Sequence, residues 1–382
     1  MIRVMHMITD LDTGGAEMML CKLLSALDPD QFSCRVVSLS PPGALGVRIR
    51  ELGIGVDTLG LTPQSPNPWA LIKGIRMLRQ WRPHIVQTWM YHADLVGTVA
   101  GMLANRGLLI WNIRCVNMEL THYRKSTRCV LWACRALSHC PVAVVTNSYA
   151  SMAHHRRMGY PAKHFRVIPN GFDLERFRPD PFLRRQIREE LEIHEDTPVV
   201  GLVARFDPMK DHGSFFSAAQ RVEAQAPETH FVLCGEGVIR DNPACKVFLD
   251  KLENPGKVHL LGRREDINRI MAGFDILVLT SAYGESFPNV IGEAMACGVP
   301  CVVTDVGDSA KIVADTGRVV PPRDPRAMAR AILDLLRLPV DRRYELGACA
   351  RERIRRRYSL DGVADAYERL YTEVAACRSN PG

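Results

Sequence analysis

The stretch ILVLTSAYGESFPNVIGEAMACGVPCVVTD, residues 276–305, contains two strand-like segments separated by a polar loop and a helix. Its first four residues, 276–279, and residues 299–303 near its end are short apolar runs that are rich in β-branched side chains. Strands that are covered on both faces have this continuous apolar pattern instead of an alternating one. The stretch therefore predicts two strands of a parallel sheet, with a helix as their connection.

The helix between these strands has recognisable start and stop signals. Ser286 is a candidate N-cap and Pro288 suits the first helical position, while Gly298 and Pro300 follow the end of the helix. A helix that begins beyond the C-terminal end of a parallel strand presents backbone N–H groups and the positive end of its dipole there. Because α/β proteins bind phosphate groups at such places, the sequence predicts a phosphate site just before this helix.

Glu285 and Glu293 flank the predicted phosphate site, with seven residues between them. A carboxylate can accept hydrogen bonds from two adjacent hydroxyl groups, such as those of a ribose or a hexose. Two carboxylates beside a phosphate site therefore suit a nucleotide sugar. Taken as an isolated pair they have another interpretation, in which Glu285 favours the helix dipole and Glu293 is an ordinary helical residue.

The segment GESFPNVIGEAMACGVPCVVTDVG, residues 284–307, resembles the Glu-x7-Glu signature of retaining glycosyltransferases of family 4, which have the GT-B fold. In that family the first glutamate lies by the donor sugar and the second holds the ribose hydroxyls. The resemblance implies these roles for Glu285 and Glu293. It also implies that the diphosphate and sugar face the backbone around Phe287, Pro288 and Asn289, although Pro288 has no N–H to donate.

The resemblance covers nearly the whole chain, strongly over residues 168–320 and loosely before residue 80. The chain departs from the family at Asp308, where many members have a glycine. This difference disfavours a close approach of a ligand to the backbone at that position. The GT-B fold implies an α/β protein with two doubly wound Rossmann-like domains that face a central cleft. We expect an acceptor-side domain over residues 1–170, completed by a C-terminal helix at 360–382, and a donor-binding domain over residues 171–359.

Length and composition agree with a soluble protein of two domains. The chain has 382 residues, of which 47% are hydrophobic and 24% charged, and it exceeds what one core usually holds. It has no apolar run of membrane-spanning length and begins with a strand-like segment and not a signal sequence, so we expect a cytoplasmic protein. The twelve cysteines include no Cys-x-x-Cys pair, which favours buried thiols over disulfides or a metal site.

A strand over residues 2–8 leads into a loop whose paired glycines, Gly14 and Gly15, open a helix. Paired glycines let a ligand approach the backbone, and the family has such a loop near the donor phosphate and the acceptor. The dinucleotide-binding pattern Gly-x-Gly-x-x-Gly is absent, which disfavours a dehydrogenase. Asp10 and Asp12 form the Asp-x-Asp metal pattern of the other glycosyltransferase fold, but so short a pattern favours a loop-capping role.

Further strands of the first domain are predicted near residues 34–39, 54–59, 84–88, 108–113 and 142–146, alternating with helical stretches. His92 follows the segment at 84–88, and a residue beyond the C-terminal end of a strand lies on the ligand-binding side of such a sheet. The family usually has a histidine there that hydrogen-bonds the donor sugar or nearby backbone. The resemblance therefore implies that role for His92, while a packed or surface histidine is the alternative.

The second domain supplies two cations and several glycines. Arg205 and Lys210 follow the predicted strand at 199–203, where a guanidinium fork and an ammonium group can neutralise a diphosphate leaving group. The family uses an arginine and a lysine in this way, and the alternative is a pair of surface charges at a helix start. The next two strands end at expected edges of the nucleotide pocket, which include Gly235, Gly237 and, near the base, Arg263.

A basic segment with aromatic residues covers residues 112–139. Its cations are Arg114, Arg124, Lys125, Arg128 and Arg135. Residues 1–178 hold 21 Lys and Arg against 11 Asp and Glu, whereas the remainder holds 28 against 31, so the positive excess belongs to the first half. Such a segment suits an anionic membrane surface, and a helix that covers the sheet with solvated charges is the alternative.

Together with the family resemblance, these features predict a metal-independent retaining glycosyltransferase that moves a sugar from a nucleoside diphosphate to an acceptor hydroxyl and leaves an α-linkage. The expected acceptor is a glycan or lipid-linked glycan of the cell envelope, and no cofactor is expected besides the donor. A nucleotide-sugar epimerase of the same fold and a non-catalytic sugar-nucleotide binding protein are the alternatives. The arginine-rich segment at 351–359 favours a charged helix over a nucleic-acid contact, so no nucleic-acid partner is expected.

Overall fold

The computed structural model describes residues 1–12, 14–61, 68–116 and 125–379. The chain forms two compact units. The first unit comprises Met1–Gly171 together with Leu360–Gly382, and the second comprises Phe172–Ser359.

The first unit is built on a parallel sheet of seven strands in the order β3-β2-β1-β4-β5-β6-β7. The strands are β1 (Ile2–Ile8), β2 (Phe32–Ser38), β3 (Gly55–Thr58), β4 (Ile85–Trp89), β5 (Leu108–Ile113), β6 (Ala143–Thr146) and β7 (Phe165–Val167). The helices are α1 (Gly15–Ala26), α2 (Ala44–Glu51), α3 (Pro68–Trp81), α4 (Tyr91–Ala104), α5 (Lys125–Leu137) and α6 (Tyr149–Arg157). Because apolar clusters cover the sheet on both faces, its central strands are buried along their length.

The second unit has a parallel sheet of six strands in the order β10-β9-β8-β11-β12-β13. The strands are β8 (Val199–Val203), β9 (His230–Cys234), β10 (Val258–Leu260), β11 (Ile276–Leu279), β12 (Cys301–Thr304) and β13 (Arg318–Val320). The helices are α7 (Pro181–Glu190), α8 (His212–Glu223), α9 (Pro243–Leu249), α10 (Ile267–Ala272), α11 (Asn289–Ala296), α12 (Ser309–Val313), α13 (Pro325–Leu336) and α14 (Val340–Tyr358). Two apolar clusters form its core.

The last helix, α15 (Leu360–Ser379), belongs to the first unit. Tyr367 and Tyr371 on this helix are fully buried in the same core cluster as residues of β1, β4 and β5. The C-terminal segment therefore completes a core that the N-terminal part of the chain begins. None of the helices in the described ranges combines the length and the apolar character that crossing a bilayer requires.

The predicted fold class of two doubly wound α/β domains is confirmed. The start of α11 differs from the prediction, because Pro288 has the extended angles φ −70° and ψ 113° and precedes the helix as its N-cap. Ser286 is therefore not the N-cap, and Asn289 is the first helical residue. The strands β7 and β13 were not predicted, because they have three residues each and so offer too short an apolar pattern.

Candidate functional site

Each sheet has one topological switch point, which we call its turning point. On one side of this point the chain adds strands in one direction along the sheet, and on the other side it adds them in the opposite direction. In the second unit this point lies between β8 and β11, since β9 and β10 extend from one side and β12 and β13 from the other. Open α/β sheets bind ligands in the crevice outside the C-terminal ends of the strands at such a point. The loops at 204–211 and 280–288 follow β8 and β11, and they carry Arg205, Lys210 and Glu285.

Lys210 and Glu285 form a largely buried ion pair at this point. The Lys210 Nζ atom donates to Glu285 Oε1, and the exposed fractions of the two side chains are 15% and 9%. Ser281 Oγ donates to the same carboxylate oxygen at 2.6 Å, and Thr280 Oγ1 donates to the Lys210 carbonyl at 2.6 Å. These bonds hold a cation and an anion in fixed places at the end of β11. A buried pair of this kind is stable only because each charge has the other as its partner.

Arg205 lies in the same loop and is more accessible than Lys210. Its side chain is 58% exposed, and its Nε atom donates to Asp207 Oδ2 at 3.2 Å. Asp207 also accepts from the Met209 backbone N–H at 2.8 Å and so caps a 3₁₀ turn at Pro208–Lys210. The turn fixes the backbone that carries Lys210, while the guanidinium of Arg205 remains in reach of a ligand.

Glycines allow the loops to meet around the ion pair. A Cβ atom at Gly235 would lie 2.0 Å from the Ala204 carbonyl oxygen, and one at Gly307 would lie 2.3 Å from the Glu285 carbonyl oxygen. Gly307 also has a φ of +64°, which disfavours any residue with a side chain. The next residue, Asp308, donates its backbone N–H to the Ser286 carbonyl at 3.0 Å. The backbone at Asp308 is therefore hydrogen-bonded to the loop that contains Glu285.

The other predicted donor residues lie along the same edge of the second sheet. Pro288 and Asn289 begin α11, and Glu293 is half-buried on its second turn. Phe287 is only 6% exposed and packs on Phe172 with ring centroids 6.2 Å apart, so its side chain belongs to the core and only its backbone can face a ligand. The loops that follow β9 and β10 carry Gly237, with φ +76°, and the exposed Arg263.

The first unit has its own turning point between β1 and β4, and the predicted residues of that domain lie beside it. Gly14 is the N-cap of α1, and Gly15 is its first residue. His92 lies in the first turn of α4 and is exposed at its surface, although desolvation by the surrounding protein still lowers its pKa. A neutral imidazole at pH 7 can both donate and accept a hydrogen bond.

The Asp10-Leu11-Asp12 segment forms a loop in which the Asp12 N–H donates to Asp10 Oδ1 at 3.2 Å, as expected for a capping role. Nearby, burial and then the charges of Asp10 and Asp12 raise the pKa of the Glu17 carboxyl. Over the described ranges, no group of three or more His, Cys, Asp or Glu side chains is arranged to hold a metal ion.

Ser281, whose hydroxyl donates to the Glu285 carboxylate, was not among the predicted site residues. A polar residue directly after a buried strand is the signal that could have found it, because such residues lie at the ligand-binding edge.

Comparison with known proteins agrees with this architecture. A model of the Glycosyltransferase Family 4 matches residues 13–176, and a model of the Glycosyl transferases group 1 matches residues 197–338. The EpsF protein of Bacillus subtilis is 26% identical over 79% of this chain and 79% of its own length. The Escherichia coli UDP-Gal:α-D-GlcNAc-diphosphoundecaprenol α-1,3-galactosyltransferase is 27% identical over 64% of this chain and 63% of its own length.

Among solved structures, HepE of Anabaena in complex with UDP is similar with a TM-score of 0.83 and 22% identity, over 97% of this chain and 100% of that one. The likeness to HepE shows the shared fold, and the two family models together match most of the chain. This protein belongs to the glycosyltransferases of family 4 and group 1, which have the GT-B fold.

Proposed function

We propose that the protein is a retaining, metal-independent glycosyltransferase that moves a sugar from a nucleoside diphosphate to an acceptor hydroxyl. The observation that carries this proposal is the buried Lys210–Glu285 pair beside Arg205 at the turning point of the second sheet. A lysine and an arginine at that edge suit a diphosphate, and a carboxylate suits sugar hydroxyls.

The departure of a nucleoside diphosphate leaves negative charge on its outer phosphate. In this proposal the Lys210 ammonium group, the Arg205 guanidinium and the N-terminal turn of α11 stabilise that charge. Removal of one group that is already in place to stabilise charge in a transition state typically costs about 3 kcal/mol. The cations would thus do the work that a metal ion does in enzymes with an Asp-x-Asp site.

Retention of configuration follows if the acceptor attacks from the face that the diphosphate leaves. The acceptor oxygen forms its bond to the anomeric carbon as the bond to the phosphate oxygen breaks, and the hydroxyl proton passes to that phosphate oxygen. Glu285, already paired with Lys210, would hold the donor sugar and would not act as a nucleophile. Glu293 would hold the ribose, and His92 would hydrogen-bond the donor sugar.

The relatives support a choice of donor and acceptor. HepE was solved with UDP and with UDP-glucose, and the E. coli relative is named for a UDP-galactose donor and a diphosphoundecaprenol-linked acceptor. A relative from Campylobacter jejuni, 27% identical, is also named for an undecaprenol-linked acceptor. We therefore infer a UDP-hexose or UDP-N-acetylhexosamine donor and a lipid-linked glycan acceptor.

The test is transfer from a panel of radiolabelled UDP-sugars to undecaprenyl-diphosphate sugars in the presence of EDTA. We expect a labelled lipid product whose new glycosidic bond is α, with a rate that EDTA leaves unchanged, because protein cations replace the metal. The anomeric configuration is measured by NMR of the released oligosaccharide or by digestion with α-specific and β-specific glycosidases.

Other products would contradict the proposal. A β-linked product would exclude retention, and a free epimerised sugar without acceptor would indicate an epimerase. Loss of turnover in EDTA that Mn²⁺ restores, and that Asp12→Ala abolishes, would make the Asp10–Asp12 loop a metal site. UDP binding without any turnover across the panel would favour a binding protein.

We also propose that the first unit docks on an anionic membrane surface through α5. Trp132 on this helix is 73% exposed, and Arg128 and Arg135 are also exposed, while Leu131 and Cys134 on the same helix are buried. An exposed tryptophan between two arginines suits the boundary between lipid headgroups and acyl chains. Of the other predicted cations, Arg124 lies outside the described residues, as does the side chain of Lys125.

Vesicle sedimentation tests this surface. The wild type should sediment with phosphatidylglycerol vesicles at low salt and less at high salt, because each cation near the surface contributes about 1 kcal/mol and salt screens it. The double variant Arg128→Ala, Arg135→Ala should sediment less. Its matched control is Arg326→Ala, Arg330→Ala, which removes the same charge from exposed positions of α13 in the second unit. An equal decrease of vesicle-bound protein in both variants, or no sedimentation of the wild type with vesicles, would exclude α5 as the docking helix.

A further inference from the structure

Arg114 is buried just after the C-terminal end of β5, although its place in the basic segment at 112–139 predicts a surface charge. Arg114 is 9% exposed, and its guanidinium carbon lies 5.3 Å from the centre of the Trp89 ring. A buried charge is costly unless hydrogen bonds and nearby π-systems stabilise it. The position of this arginine therefore depends on specific partners.

These partners come from three separate parts of the first unit. Arg114 Nη1 donates to Asn112 Oδ1 at 3.0 Å and to the Tyr367 hydroxyl at 3.1 Å, and Nη2 donates to Asn170 Oδ1. Asn112 Nδ2 also donates to the Tyr367 hydroxyl at 2.8 Å. We call Asn112, Arg114, Asn170 and Tyr367 the Arg114 cluster. It joins the end of β5 to the segment after β7 and to α15.

The backbone of the same asparagine holds the turn that leads to His92. The Asn112 carbonyl accepts from the Met90 N–H at 3.0 Å, and the Met90 carbonyl accepts from the Asp94 N–H at 2.9 Å. Met90 has φ +70° and ψ 160°, a region that residues other than glycine rarely adopt. Such a conformation persists only where its surroundings fix it, so the first turn of α4 depends on the bond from Asn112.

We propose that Arg114 and Tyr367 are positioning residues for His92. They fix the side chain of Asn112, and the Asn112 carbonyl then holds Met90 in the strained conformation that directs the first turn of α4. This inference rests on the proposed function, since it takes the role of His92 from there. It assigns the C-terminal helix a part in the chemistry in addition to its part in the core.

Tyr367→Phe is the test variant and Tyr371→Phe is its matched control. Both tyrosines are fully buried on α15, and each loses one hydroxyl, but the Tyr371 hydroxyl donates to Gln87 within β4 and takes no part in the Arg114 cluster. Tyr367→Phe should lower kcat about tenfold, because small displacements of a reacting group are costly. It should leave unchanged the KM for the donor and the increase in melting temperature that UDP causes. Tyr371→Phe should lower the melting temperature of the protein by about as much as Tyr367→Phe does. It should leave kcat, per folded protein, unchanged.

A double variant decides whether Tyr367 acts through His92. If it does, His92→Ala, Tyr367→Phe should have the kcat of His92→Ala alone. A further tenfold loss in the double variant, or equal losses of kcat in Tyr367→Phe and Tyr371→Phe, would overturn the inference. Wild-type kcat in Tyr367→Phe with a slow His92→Ala would also overturn it and leave the proposed function intact. Wild-type kcat in His92→Ala would instead remove the role that the proposed function gives this histidine.

Discussion

Lys210→Met should lower kcat by about a hundredfold or more, since a lost charge partner for the leaving group costs about 3 kcal/mol. The substitution removes the ammonium group and keeps a side chain of similar length. It also leaves the Glu285 carboxylate, 9% exposed, with Ser281 as the hydrogen-bond partner that the structure shows besides Lys210. We therefore expect a weaker hold on the donor sugar in addition to the slower departure of the diphosphate.

The measurement is single-turnover transfer at saturating donor, which separates the chemical step from binding. Arg205→Ala should lower the same rate to a similar degree, because its guanidinium would face the same phosphate. Lys251→Met is the control. This exposed lysine lies between α9 and β10, before the N-terminal end of β10 and so away from the C-terminal ends of the strands, and its loss should not change the rate. Near wild-type turnover in Lys210→Met at saturating donor would show that the diphosphate is bound elsewhere.

Asp275→Asn should destabilise the second unit by about 3 kcal/mol, the cost of removing one partner from a buried ion pair. Asp275 Oδ1 accepts from Arg184 at 2.9 Å, and Oδ2 accepts from Arg188 at 2.7 Å and from the Val199 N–H at 2.8 Å. Arg188 is 2% exposed, and its Nη1 also donates to the carbonyls of residues 194, 195 and 197. An uncharged amide would leave two arginines without their shared carboxylate at the start of β8.

Urea unfolding can assign this loss to the second unit. All five tryptophans of the chain, at positions 69, 81, 89, 111 and 132, belong to the first unit, so tryptophan fluorescence follows that unit and far-UV circular dichroism follows both. If the units unfold independently, Asp275→Asn should lower the midpoint of one circular dichroism transition and leave the fluorescence transition in place. The control, Glu345→Gln, breaks an exposed pair with Arg342 on α14 and should change neither midpoint. Equal midpoints for Asp275→Asn and the wild type would refute a stabilising role for the network.

The fold class could be predicted from the amino-acid sequence, as could the edge of each sheet at which the candidate site residues lie. Continuous apolar segments separated by helical stretches specify parallel strands, and the residues after such strands must lie at one edge. This is why Arg205, Lys210 and Glu285 could be predicted to lie near one another without any knowledge of their contacts. The family signature added their roles, which the residue pattern alone left open between a donor site and ordinary surface charges.

Which charges are buried, and what they contact, could be seen only in the folded structure. Lys210 and Glu285 are 75 residues apart, and their pairing depends on β8 and β11 being neighbours in the sheet. Arg114 and the exposed Arg128 belong to the same basic segment of the sequence, yet Arg114 is buried because Asn170 and Tyr367, 56 and 253 residues away, supply oxygens for its guanidinium. Local patterns specify helices and strands because those bonds are local, whereas the burial of a charge depends on partners that only the folded chain brings together.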